Sequence, residues 1–346
     1  MIHRLEIGCK INLYLAITGV RSDGFHELET LFYPCPSPHD TLELEMADGN
    51  GRTDGKPGGL DTGPKSSMGG AGKTFVDGPG VPQGLALTCS AKALETPANL
   101  VSRAYEAFAA RTGFRPGLRA HLTKRIPSGA GLGGGSADAA ALLNWLNAHA
   151  RAQALPPADL SALAAKLGAD IPFFLLNNPA WGTGIGDVLE PAPRSLSGMS
   201  ILVAVPRERV NTAWAYKTWD QTQMDQVLAD SARIDAGRTG SARTGASFTN
   251  LSQPDPKAPL TRFCPASMGP FCVSGAFIAN CFEAVVFRAY PAVRLLKERL
   301  LALGAAAACM SGSGSAVFGI FRDASRADVA ASDLADSGTV VFPALL

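Results

Sequence analysis

The stretch Pro127-Ser128-Gly129-Ala130-Gly131-Leu132-Gly133-Gly134-Gly135-Ser136 places five glycines directly before a helical pattern of Ala139, Leu142, Leu143 and Leu146. Glycines let successive backbone N–H groups converge on one point, and a helix N-terminus adds about half a positive charge, so the arrangement suits a phosphate. The same residues contain a formal Gly-x-Gly-x-x-Gly at Gly129, Gly131 and Gly134. A dinucleotide fold is disfavoured, because the loop comes after Lys124-Arg125-Ile126-Pro127 deep in the chain and no acidic residue is evident at the end of a second strand. A second loop, Met310-Ser311-Gly312-Ser313-Gly314-Ser315, precedes a strand pattern and is either an ordinary connection or a support beside the phosphates. The run Gly69-Gly70-Ala71-Gly72-Lys73-Thr74 ends like a phosphate loop, yet the pattern's first glycine would fall at Ser67 and no apolar strand leads into it.

Three side chains stand out for chemistry. Asp170 is a carboxylate within Leu167-Gly168-Ala169-Asp170-Ile171-Pro172-Phe173-Phe174-Leu175. Buried there without a partner it would cost several kcal/mol, so it either caps a helix starting at Pro172 or serves a site. Lys10 shares the polar face of an alternating strand with Asn12, where a lysine is either solvated or recruited. His26, in Gly24-Phe25-His26, reads by itself as a surface-loop histidine.

The elements that must position these residues are set by periodicity and caps. Cys9, Ile11, Leu13, Leu15 and Ile17 alternate with Lys10, Asn12, Tyr14 and Ala16, which predicts a strand with one apolar face. Asn99 before Leu100, Val101, Ala104, Tyr105 and Phe108 predicts a capped helix, and so do Ser136 before its stripe and Asp159 before Leu160, Leu163, Ala164 and Leu167 with Gly168 as stop. One further helix is predicted over Phe282–Leu303, ended by Gly304, and strands over Ser200–Val205, Ala316–Phe321 and Thr339–Phe342. Interleaved strands and helices without a βαβ beat predict an α+β fold. Two stretches, about 48–84 with glycine at roughly every third position and about 230–270 rich in Ser, Thr, Gly, Pro and Arg, predict loop-like insertions.

Composition narrows the function classes. The length allows two domains. A net charge of +1 supplies no field for a nucleic acid. No run approaches the roughly 20 apolar residues of a membrane span. Seven scattered cysteines without a Cys-x-x-Cys pair argue against a disulfide framework or zinc cluster. With no basic-then-apolar leader at Met1–Glu6, the chain reads as a soluble, cytoplasmic protein.

Taken in order, Lys10-Ile11-Asn12-Leu13, Arg21-Ser22-Asp23-Gly24-Phe25-His26, Lys124-Arg125-Ile126-Pro127, Gly131 through Ala140, Leu167 through Pro172, Tyr290-Pro291 through Leu303-Gly304 and Met310-Ser311-Gly312-Ser313-Gly314 resemble the GHMP small-molecule kinases. Within that superfamily they resemble the branch acting on a cytidine-diphosphate-linked methylerythritol. The resemblance covers nearly the whole chain outside the two insertions. It implies an N-terminal ATP-binding domain of the ribosomal-protein-S5-like type at 1–178, and a ferredoxin-like C-terminal domain at 179–346. The implied reaction carries the γ-phosphoryl group of ATP, with Mg2+, to a 2-hydroxyl in the non-mevalonate route to isoprenoids. By the same matching, Asp170 falls on the general base and Lys10 on its electrostatic support. Pro127 through Ser136, Ala137, Asn99 and Lys124 fall on the ATP side, with Ser136 also a candidate magnesium contact and Ser311–Ser315 flanking the phosphates. Asn12, Phe25, His26, Thr212 and Tyr216 fall on the acceptor side, where rings hold the cytosine and His26 hydrogen-bonds it. The family often has tyrosine where this chain has Phe25, and Asn-Asp-Leu-Glu where it has Asn280-Cys281-Phe282-Glu283. A homoserine, mevalonate or sugar kinase, or a silent nucleotide-binding module, are the alternatives. The expected partner is a small molecule, with neither nucleic acid nor membrane, and the protein is expected as a monomer or homodimer.

Overall fold

The computed structural model describes residues 1–47, 84–193, 195–237, 271–273 and 276–346. The elements in chain order are β1 (Ile2–Val20), β2 (His26–Met46), β3 (Leu85–Cys89), α1 (Leu100–Thr112), β4 (Leu118–Thr123), α2 (Gly134–His149), α3 (Pro157–Leu167), α4 (Ile171–Leu176), β5 (Ala180–Thr183), β6 (Val188–Pro191), β7 (Ser200–Val205), α5 (Thr212–Gly237), β8 (Phe271–Val273), β9 (Ala276–Asn280), α6 (Glu283–Ala289), α7 (Pro291–Ala302), β10 (Ala307–Met310), β11 (Val317–Phe321), α8 (Ala324–Asp336) and β12 (Val340–Leu345). The fold is α+β, as expected. Two compact units divide it: Met1–Ile7, His39–Arg125 and Gly135–Leu175 form the first, and Gly8–Pro38, Ile126–Gly134 and Leu176–Leu346 the second.

In the first unit β3 and β4 run parallel, Leu85 opposite Leu118, and β2 pairs β4 antiparallel from Thr41 opposite Thr123 to Met46 opposite Leu118. Helix α1 begins as expected: the Asn99 side chain accepts from Val101 N–H, and Val101, Ala104, Tyr105 and Phe108 are buried. Helices α2 and α3 start earlier than their expected caps. Gly134 opens α2, so Ser136 lies in its first turn. Pro157 opens α3 because its preset φ suits the first helical position, leaving Asp159 inside the first turn.

In the second unit β1 pairs β9 parallel at Tyr14 and Ala279, and the start of β2 pairs β5, with Thr30 opposite Gly182. A separate antiparallel sheet has the order β10-β11-β7-β12. The unbroken apolar run of β7 is explained by burial on both faces: Ile201, Val203 and Val205 join one core cluster and Leu202 and Ala204 the other. The second cluster also takes Val293, Leu296 and Leu300 of α7 and Ala327, Ala330 and Leu334 of α8.

Several expectations need correction. The single helix over Phe282–Leu303 is two, because Pro291 lacks the N–H that would continue α6 and pushes Tyr290 into an extended conformation at φ −126° and ψ 76°. Strand β12 runs on through Pro343 to Leu345, tolerable because β12 lies at a sheet edge. Residues 230–237, expected as loop, instead complete α5. The rest of both insertions, Gly69–Thr74 included, lies outside the described residues. In β1 the polar face is not solvated: Lys10 and Asn12 are as buried as the apolar face.

Candidate active site

Strand β1 carries Lys10 and Asn12 into the interior of the second unit, so their polar atoms must be paired. The Lys10 ammonium donates to Asn12 Oδ1 at 2.6 Å and lies 5.2 Å from the Phe32 ring centroid. Asn12 Nδ2 in turn donates to Thr30 Oγ1 at 2.7 Å, and Thr30 donates to the Tyr14 carbonyl at 2.7 Å. This relay fixes the amide orientation, which directs Asn12 Oδ1 to the lysine.

The two glycine-rich loops meet within the same unit. Lys10 N–H donates to the Leu132 carbonyl at 3.0 Å, and Ala316 N–H to the Ala130 carbonyl at 3.1 Å. Ser311 Oγ donates to the Gly131 carbonyl at 2.9 Å and accepts from Asn12 N–H at 3.2 Å. The approach is so close that a Cβ on Gly131 would lie 2.1 Å from the Ser311 carbonyl oxygen, and Gly131 has φ +79° besides. Asn280, fully buried, locks the second loop from behind by donating to the Met310 and Gly312 carbonyls, both at 2.7 Å. Glu283 accepts from Met310 N–H at 2.9 Å and from Lys297 at 2.6 Å. At the loop's far side Ser313 and Thr212 hydroxyls are 2.8 Å apart. Arg209 donates to the Ser128 carbonyl of the first loop.

A tight turn prepares the other expected acceptor residues. Gly24 at φ +85° lets Arg21 N–H bond the Phe25 carbonyl at 2.7 Å, while Asp23 accepts from Phe25 N–H, a bond that holds its carboxyl below the usual range. Phe25 is left 59% exposed. His26 lies against Tyr216, ring centroids 4.6 Å apart, and bonds Asp220 at 2.7 Å.

The first unit holds Asn99, Lys124, Ser136, Ala137 and Asp170. Lys124 donates to Asp40 and, at 2.7 Å, to Asp138 in α2. Burial opposes the Lys124 charge, and the two carboxylates together still hold its pKa above the ordinary lysine value. Burial pushes Asp138 up to about 7 against the pull of Lys124. Its Oδ1 is buried without a hydrogen-bond partner among the described residues. Asn99 Nδ2 donates to the Leu94 carbonyl at 2.9 Å. Asp170, half-buried, sits in the turn that joins α3 to α4 and directly precedes α4, which begins at Ile171 rather than Pro172.

The second unit thus brings together Lys10, Asn12, Thr212 and the first loop up to Gly134, and separately Phe25, His26 and Tyr216; Asp170 and Lys10 belong to different units. Sequence reading missed Asp40, Asp138, Thr30, Asn280, Glu283 and Asp220. Asn280 alone carried a local signal, since an Asn side chain can bond the backbone two residues on, and Asn280 Oδ1 accepts from Phe282 N–H at 2.9 Å. The others become visible only in three dimensions.

A glycine-rich loop pair on an α+β scaffold is what the sequence resemblance implies for a small-molecule kinase. The models of the GHMP kinases N terminal domain and the GHMP kinases C terminal region match residues 99–178 and 268–339. A 4-diphosphocytidyl-2-C-methyl-D-erythritol kinase of Solidesulfovibrio magneticus is 44% identical over 99% of this chain and 96% of its own length. One from Nitratidesulfovibrio vulgaris is 36% identical over 99% and 98%. A crystal structure of 4-(cytidine 5'-diphospho)-2C-methyl-D-erythritol kinase superposes with a TM-score of 0.66 at 28% identity, covering 99% of this chain and 98% of that one. Homoserine kinase from Cytophaga hutchinsonii, at 17% identity and TM-score 0.54, shares the fold. The chain belongs to the GHMP kinases, in the family of the 4-diphosphocytidyl-2-C-methyl-D-erythritol kinases.

Proposed function

We propose that this protein transfers the γ-phosphoryl group of ATP to the 2-hydroxyl of 4-diphosphocytidyl-2-C-methyl-D-erythritol, a step toward isoprenoid precursors. The observation that carries the reading is the fastening of the loop Ser311–Ser315 to the glycines of the loop Pro127–Gly134 beside Lys10 and Asn12. We further propose the division into an ATP-binding domain over 1–178 and a C-terminal domain over 179–346, supported by where the two family regions fall.

The first loop fits a polyphosphate. Gly129, Gly131 and Gly133 all have positive φ, at +69°, +79° and +71°, a conformation that turns amides outward, and Ser128 and Gly129 are exposed. Among the described residues no group of three His, Cys, Asp or Glu side chains is disposed to hold a metal. The Ser136 hydroxyl, in the first turn of α2, would be the protein contact of a magnesium ion accompanying the nucleotide. Bound there, magnesium would neutralise charge on the transferring group.

The chain's own residues do the rest. Asp170 takes the proton of the acceptor hydroxyl, and the Lys10 ammonium, oriented by Asn12, supplies the positive charge that favours an ionised carboxylate. Asn99 and Lys124 serve the nucleotide side, each held in place by its own hydrogen bonds. Phe25 and Tyr216 hold the cytosine ring, His26 bonds its edge, and Asn12 and Thr212 contact the acceptor. Stacking alone accepts any base, so selection falls to the polar contacts.

The test is ADP release with ATP and magnesium, comparing the cytidylated acceptor with homoserine, mevalonate and galactose. Release only with the cytidylated acceptor is the expected result. Release with another alcohol would keep the class and discard the substrate, and silence with all four would favour a nucleotide-binding module. Asp170→Ala is expected to lower turnover by about 100- to 10,000-fold with ATP binding retained; unaltered turnover would remove Asp170 from the base role.

A further inference from the structure

Three side chains of α5 at spacings of three and four residues surround His26. Tyr216 lies against its imidazole at 4.6 Å between centroids with an interplanar angle of 33°, Trp219 meets it edge-on at 6.1 Å, and Asp220 Oδ1 lies 2.7 Å from its Nε2. Tyr216 is itself braced edge-on by Phe282 at 4.8 Å. The His26 side chain is 12% exposed, so little water competes for its ring nitrogens, whereas that of Asp220 is 44% exposed.

An ionised carboxylate only accepts hydrogen bonds, so the proton in the His26–Asp220 bond resides on Nε2. A neutral imidazole carries one proton, which leaves Nδ1 with a lone pair, and no described residue bonds Nδ1. We propose that Asp220 is a positioning residue that fixes the Nε2–H tautomer of His26 and thereby makes the base site select an exocyclic amino group over a carbonyl. Cytosine presents an amino group at its 4-position where uracil presents a carbonyl. The opposite tautomer, with a proton on Nδ1, would offer a donor and favour uracil. This inference rests on the cytidine reading of the site and adds the residue that sets its selectivity.

Two measurements on the full-length protein separate the inference from that reading. In 15N-histidine-labelled protein under mildly alkaline conditions, the neutral ring of His26 is expected to show a protonated Nε2 and an unprotonated Nδ1. Asp220→Asn, whose amide both donates and accepts, is expected to mix the tautomers. A wild-type Nδ1–H tautomer, or no change in Asp220→Asn, overturns the proposal without any substrate being present. In kinetics, the ratio of kcat/KM for cytidylated over uridylated acceptor is expected to fall about tenfold or more in Asp220→Asn and to recover in Asp220→Glu, a fall that general destabilisation would not produce. An unchanged ratio overturns the selectivity role. Failure of the wild type to use the cytidylated acceptor overturns the substrate reading and the selectivity with it, while the tautomer is judged by the resonances alone.

Discussion

The loops Pro127–Gly134 and Ser311–Ser315 are both built largely of glycine and serine but have opposite environments. The first exposes Ser128 and Gly129 and is anchored by Ala130 and Leu132, whose side chains are buried in a core cluster. The second is buried throughout, with Ser311 at 0% and Ser315 at 1% exposure. Its hydroxyls serve the protein: Ser311 grips Gly131, and Ser315 donates to the Glu208 carbonyl at 2.5 Å. One loop leaves backbone exposed at Ser128 and Gly129, and the other is a wedge that gives the first its shape. Composition alone assigns neither role.

The comparison breaks most directly at the contact between them. Gly131→Ala would place a methyl group against the Ser311 carbonyl at a positive φ, and is expected to cost about 2–4 kcal/mol in denaturant unfolding together with most of the activity. A stable, active variant would show that the loops are not held as closely as described.

The loops also lead into different elements: the second into apolar β11, the first into α2 with Asp138. A carboxyl raised to about 7 in the folded state binds more protons folded than unfolded between about pH 4 and 7, so its contribution to stability falls as pH rises through that window. Asp138→Asn is therefore expected to gain on the wild type by on the order of 4 kcal/mol between pH 4 and 8. A pH-independent difference would mean that Asp138 is ionised throughout.

Ser311→Ala removes one donor and one acceptor from buried partners and is expected to cost about 1–2 kcal/mol. If the second loop is a wedge, turnover should fall with stability while the KM for ATP changes little. The smallest effect is expected for Gly129→Ala, at about 1 kcal/mol, because its φ is +69° but a Cβ would meet nothing within 4 Å. Equal costs for Gly129→Ala and Gly131→Ala would erase the distinction between exposed backbone and close approach.

Much of the fold was legible because its signals are local. The Asn99 cap, the β7 run and the Gly168 stop are set by neighbouring residues, and they stand where expected. The helical periodicity over Phe282–Leu303 runs through two helices because Pro291 interrupts the backbone hydrogen bonding between them. The first loop and Lys10 were legible as candidates for chemistry, whereas Asp220, Asp138 and Asp40 were not. Each of those acts through a partner far away in sequence, such as His26, 194 positions from Asp220.

By itself the sequence determined the α+β class, the Asn99 cap, the Gly168 stop and, through the ordered series of motifs, the kinase superfamily, because each depends on residue type and short spacing. Only the tertiary structure decided that Lys10 and Asn12 are buried, that one glycine loop is a wedge against the other, and that a carboxylate on α5 reaches the ring of His26. Those facts depend on which distant groups share a desolvated space, where an unpaired polar atom is costly and a paired one is held in place.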